Sequence, residues 1–101
     1  IQKATLFATE VPLHTMQASF KVFGLCRAMA EEGNPNSVSD AGVGVLAARA
    51  AVLGAGLNVK INASGLKDKA TAERLIAEAD TLIAKAKEAE TEIMKIVKAK
   101  L

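Results

Sequence analysis

Tryptophan and tyrosine are missing from this 101-residue chain, and phenylalanine occurs three times. So few aromatics leave no stacking platform for nucleic-acid bases, and they disfavour a β-sandwich, whose core draws on aromatic and β-branched side chains. The single cysteine, Cys26, excludes an intrachain disulfide framework and a thiolate metal site, as expected for a reducing, cytoplasmic setting. The single histidine, His14, leaves no partner imidazole for zinc, so no metal is expected. Charge of one sign is also lacking: thirteen basic and eleven acidic residues interleave to a net +2, which argues against a nucleic-acid partner. No secretory signal is visible, and a first residue of Ile rather than Met reads as a piece or processed form.

What is abundant is alanine within a chain that is 50% hydrophobic, the composition of closely packed helices. Residues Ile1 to about Thr9 read as the tail of a helix, broken near Pro12 because proline biases Val11 away from the helical region. A second helix is expected from Pro12 to Glu32, with Leu13, Met16, Phe20 and Phe23 on one face and Gly33 as a left-handed cap. A fourth is expected from Asp68, its N-cap, to the chain end. Its seam is Ala72, Ile76, Ala79, Ile83, Ala86, Ile93 and Val97, interrupted by Glu90. Lys95, Lys98 and Lys100 in its last turns complement the helix dipole.

The third helix, from about Ser39 to Ile61, is the unusual one. Val43, Val45, Leu46, Val52, Leu53, Leu57, Val59 and Ile61 point in nearly every direction around its axis. A helix apolar all round must be enclosed. Arg49 at its middle and Asp40 and Lys60 beside it argue for a buried helix rather than a membrane span. The fold class predicted is therefore an all-α antiparallel bundle around this central helix, its shell completed by a missing N-terminal half and a second subunit.

Chemistry-bearing groups are few. His14, flanked by Gln17, Ala18 and Lys21, reads as a surface residue, and Cys26 as a small core residue. "GVGVLA" at Gly42 lacks a third glycine and a preceding strand, so dinucleotide binding is rejected. Arg49 and Lys60 each need a partner, either an ion pair to another helix or an anionic ligand group. The polar run "GNPNSVSDAGVG", Gly33 to Gly44, admits two readings. One is a turn with Ser37 or Ser39 as cap and Asp40 meeting the positive dipole end. The other is a ligand site, in which Asp40 pairs with adjacent ring N–H groups of a heteroaromatic molecule and free amides around Ser39 supply dipoles. Asn58 and Asn62 lie one turn apart, and Asn58 returns to the face of Asp40 about 27 Å further along the same helix. They read as amides that satisfy neighbouring backbone, although a symmetric second copy could bring them near the other copy's Asp40.

Taken in order, "TEVPLHTMQAS", "NPNSVSDAGV", "ARAAVLGA" and "LNVKIN" resemble the C-terminal half of the formimidoyltetrahydrofolate cyclodeaminase and methenyltetrahydrofolate cyclohydrolase family. The resemblance extends over nearly the whole chain, residues 1–101 forming the C-terminal portion of one helical domain. It implies a dimeric, all-α enzyme of one-carbon folate metabolism, with a reduced folate as substrate and partner and no separate cofactor. It also implies that the catalytic acid or base lies in an N-terminal half with a "PGGGS"-like segment, so these residues alone are expected to be inactive. Asn36, Ser37 and Asp40 are carried over as substrate-binding positions. The competing reading is a non-enzymatic helical oligomerisation module.

Overall fold

A computed structural model describes residues 1–101 as four helices and no strand: α1 (Gln2–Phe20), α2 (Val22–Glu32), α3 (Pro35–Ala63) and α4 (Lys69–Lys100). The bundle is a rod of 51 × 18 × 15 Å. Its length is that of α4, since 32 residues at about 1.5 Å each span roughly 48 Å.

Pro12 does not break α1. It sits inside that helix, so the expected division at residues 9–12 moves to Lys21, where the hydrogen-bond ladder is interrupted with the backbone still helical (φ −61°, ψ −24°). An internal proline removes one N–H and strands the carbonyl four residues earlier. Here that carbonyl belongs to Ala8, and the Asn62 side chain of α3 donates Nδ2–H to it at 2.9 Å. A tertiary contact thus replaces the local bond that proline deletes. Asn62→Ala is expected to destabilise the bundle by about 0.5–1.5 kcal/mol, the net worth of one hydrogen bond. The loss should shrink in a Pro12→Ala background, where the restored N–H reaches Ala8 itself. A double-mutant cycle in urea measures the difference.

Helix α3 runs antiparallel to the α1–α2 pair on one side and to α4 on the other. Going down α3, Asn62 meets Ala8, the space at Gly56 is bounded by Met16, and that at Gly44 by the Cys26 sulfur. On the α4 side, Lys60 meets Asp80, Gly56 faces Ile83, Arg49 meets Glu90 and Gly42 faces Val97. The glycines let side chains approach closely: a Cβ at Gly56 would lie 2.8 Å from Ile83 Cδ1, and one at Gly44 2.8 Å from Cys26 Sγ. Met16, Val45, Val52, Val59, Leu75 and Ile93 form the centre of the core. The α4 seam is buried at Ala72, Ala79, Ala86, Ile93 and Val97 and half-buried at Ile76 and Ile83, with Leu75 added.

The termini of the helices are tied by side chains. Asp68 caps α4 as expected, accepting from Thr71 N at 3.2 Å and Thr71 Oγ1 at 3.0 Å, and these two donors hold its carboxyl below the ordinary aspartate range. The Gln2 carboxamide clamps the α3–α4 loop, accepting from Lys67 N at 2.9 Å and donating to Gly65 O at 3.4 Å. Lys100 serves another helix rather than its own dipole, donating to Ala30 O at 2.7 Å and Glu31 O at 2.5 Å at the end of α2. Gly33 is extended (φ −75°, ψ 160°), not left-handed. Its requirement is steric, because a Cβ there would collide with the Met29 carbonyl oxygen and lie 2.9 Å from Ser37 Cβ.

With α1–α2 on one flank of α3 and α4 on the other, a third strip of α3 between them stays open. Val43 (67% exposed), Leu57 (70%) and Ile61 (70%) stand on that strip with Ala47, Ala50 and Gly54. Phe7 (68%), Val11, Val22, Leu25 (68%) and Met29 add an exposed stripe along α1 and α2. Helix α4 exposes no large hydrophobic residue. Leu46, 50% exposed beside α4, is the one large exposed hydrophobic of α3 outside the open strip. By length and composition α3 could cross a membrane, yet both cations of its apolar stretch are engaged by carboxylates of α4.

Candidate functional site

The polar run before and within the start of α3 folds around Asn34. Its side-chain Oδ1 accepts from Asn36 N at 3.0 Å and Ser37 N at 3.1 Å, and Pro35 occupies the first helical position, where its missing N–H costs nothing. The helix thus begins four residues before Ser39. Neither Ser37 nor Ser39 is the cap: Ser37 Oγ donates to Asn34 Oδ1 at 3.3 Å, and Ser39 Oγ to Asn36 O at 3.4 Å. The free amides expected around Ser39 are also absent, since Ser39 is already within the helix and the N–H groups of Asn36, Ser37 and Val38 are taken by Asn34.

Asp40 is the sixth helical residue rather than a first-turn one, beyond the reach of the dipole's positive end. It is exposed and makes no hydrogen bond or ion pair within the chain. Its carboxylate therefore has no structural task that the fold reveals. Asn36 and Asp40, four residues apart, share the open side of α3 with Val43 and Ala47. Ser37 turns inward and is half-buried. The structure thus pairs two of the three predicted substrate contacts on one face and commits the third to the cap.

Three clefts indent the surface, and none is lined by Asn36, Ser37 or Asp40. One of about 280 Å³ lies between α1 and α3, and is bounded by Pro12, Thr15, Asn58 and Asn62. A second, of about 400 Å³, lies between α3 and α4 and is lined by Leu46, Glu90, Met94 and Lys98 among others. The third, of about 200 Å³, sits beside Gln2 and Asp68.

Arg49 and Lys60 take the ion-pair reading. Lys60 Nζ is 2.7 Å from Asp80 Oδ1, and Arg49 Nε is 2.6 Å from Glu90 Oε2. The Arg49 N–H is not aimed at that oxygen, so the second contact is Coulombic rather than a directed hydrogen bond. Glu90 entered the sequence reading only as a gap in the α4 seam, and that gap marks the partner of Arg49. Cys26 is buried, and desolvation pushes its thiol up, as fits an unreactive core residue. His14 is exposed on α1.

Fold and site together define an all-α antiparallel bundle with one open, nearly uncharged face that carries a polar helix start. Residues 1–81 match the family model described as formiminotransferase-cyclodeaminase, and the chain belongs to that family. The whole chain is 44% identical to the methenyltetrahydrofolate cyclohydrolase of Methylorubrum extorquens, of which it covers 49%. Over 97 residues it is 34% identical to the formimidoyltransferase-cyclodeaminase of Dictyostelium discoideum, of which it covers 18%. The chain thus spans about half the length of the first relative and less than a fifth of the second. Asp40, Asn58 and Asn62 fall inside the segment matched by the family model, and Glu90 outside it.

Proposed function

We propose that the protein to which these residues belong is an enzyme of one-carbon folate metabolism that hydrolyses 5,10-methenyltetrahydrofolate to 10-formyltetrahydrofolate. The observation that carries this reading is the 44% identity to a methenyltetrahydrofolate cyclohydrolase along the whole chain. Closure of 5-formimidoyltetrahydrofolate with release of ammonia is the second reading, favoured by the cyclodeaminase relative. Both reactions pass through a tetrahedral adduct at the one-carbon bridge and need a positioned acid or base.

Asn36, Ser37 and Asp40 are the proposed substrate contacts. The unengaged Asp40 carboxylate would accept N–H groups of the substrate, with the Asn36 amide one turn away, and Ser37 would act by fixing the Asn34 turn. The open side of α3 supports a homodimer closed over it, within a single domain shared with the rest of the chain. A buried, unreactive Cys26 suits a cytoplasmic enzyme.

The test follows the absorbance of methenyltetrahydrofolate on addition of the full-length protein, with ammonia release from formimidoyltetrahydrofolate in parallel. Asp40→Asn is expected to lower kcat/KM at least tenfold, about 1.4 kcal/mol. An unchanged rate would remove Asp40 from the site. No turnover by the parent protein, with no folate binding, would favour the helical oligomerisation module.

A further inference from the structure

The cleft between α1 and α3 is built from six residues, Val11, Pro12, Thr15, Ala55, Asn58 and Asn62, none of them charged. Pro12 and Val11 give it an apolar wall, and Ala55 leaves the floor shallow. Its polar groups are set by the fold. Asn62 commits Nδ2 to Ala8 O at 2.9 Å, which fixes the carboxamide and leaves Oδ1 as an acceptor without a donor from the chain. Thr15 Oγ1 spends its proton on Val11 O at 3.2 Å and keeps its lone pairs. Asn58, one turn before Asn62, makes no side-chain hydrogen bond, so it offers both a donor pair and an acceptor. Acceptors from Asn62 and Thr15, with both a donor and an acceptor from Asn58, beside an apolar wall and without charge suit the amide edge of a planar heterocycle, which presents N–H and carbonyl groups side by side.

Size narrows the ligand. A volume of about 280 Å³ lies just below the roughly 300–1,000 Å³ of sites that enclose drug-sized molecules, so the cleft holds one ring system and not a ring with a long tail. We propose that the Asn58–Asn62 cleft reads the amide edge of the substrate's bicyclic ring, which, on the folate reading above, is the pterin. Within one copy Asp40 stands about 27 Å away along α3 and cannot touch the same ring. One substrate meets both positions only where two copies pack antiparallel through their open α3 faces, which brings Asn58 of one copy toward the start of α3 in the other.

The experiment uses the full-length protein and two probes, 6-methylpterin as the ring without its tail and p-aminobenzoylglutamate as the tail without its ring. Asn58→Ala is expected to weaken 6-methylpterin binding at least tenfold in titration calorimetry and leave p-aminobenzoylglutamate within twofold. In turnover it should raise KM for methenyltetrahydrofolate at least fivefold with kcat within twofold. Asn58→Asp, equal in size, should do the same, and because Asn58 has no partner in the fold both variants should keep the parent's thermal midpoint. Unchanged 6-methylpterin affinity and KM in a protein that still turns over the folate would overturn the cleft assignment and leave the folate reading standing. A parent that neither binds nor converts any folate overturns both.

Discussion

On the homodimer proposed above, Gly54→Glu in the full-length protein is expected to yield a monomer by light scattering, at concentrations where the parent self-associates. A Cβ at Gly54 meets nothing within 4 Å, so the substitution is tolerated inside the bundle and even gains helix propensity of up to about 1 kcal/mol. At a subunit contact through the open side of α3, the same carboxylate would be desolvated without a partner. That costs about 3–5 kcal/mol, or at least a hundredfold in dissociation constant. Gly54→Ala, which adds a methyl and no charge, is the control and should retain the dimer. A Gly54→Glu protein that stays dimeric would place the subunit contact elsewhere and assign this face to the remainder of the chain.

Leu75→Ala is expected to lower unfolding free energy by about 2–5 kcal/mol, read as a shifted urea midpoint at unchanged slope. Leu75 is a core residue of α4 with 1% of its surface exposed, so truncation opens a cavity that the slender core of this rod cannot readily collapse. The comparison is Leu57→Ala. With 70% of Leu57 exposed in this bundle, its truncation should leave the bundle's own stability nearly unchanged, and weaken the proposed dimer instead. Two leucines on neighbouring helices thus separate folding from assembly.

Legibility from sequence followed how local each determinant was. Helix α4, its Asp68 cap and most of its seam could be read directly, because a cap and a repeat of three and four residues are properties of one segment. The open strip of α3 was foreshadowed by apolar residues on all its faces. The continuity of α1 was not readable: what rescues Pro12 is an amide 54 positions from the carbonyl it satisfies. The start of α3 was misplaced for a different reason, since Asn34, Ser37 and Ser39 are all competent caps and only the crowding at Gly33, with Pro35 at the first helical position, selects the first.

The candidate site divides the same way. Four-residue spacing alone puts Asn36 and Asp40 on one face. The spacing of Asn58 and Asn62 is equally plain, but the cleft exists only once Pro12 and Thr15 of α1 are laid beside them. Ion-pair partners for Arg49 and Lys60 could be anticipated as a need, and their identity came from the antiparallel register of α4.

The Pro12–Asn62 contact bears on the order in which the chain acquires its structure. An interior proline costs a helix about 3 kcal/mol, and a nineteen-residue helix in isolation is marginal even without one. Helix α1 therefore cannot persist as one straight element until Asn62 is in place to receive Ala8. The α3–α4 hairpin, joined by five residues and stitched by two ion pairs, has no such prerequisite. The expected order is therefore the C-terminal hairpin first and α1 completed as it docks, which φ-values near zero along α1 and higher in α3 and α4 would show. Because Pro12 leaves the Ala8 carbonyl without its helical donor, a slip of α1 by a single residue along α3 forfeits the bond from Asn62, and the contact acts as an index pin for the register of the bundle.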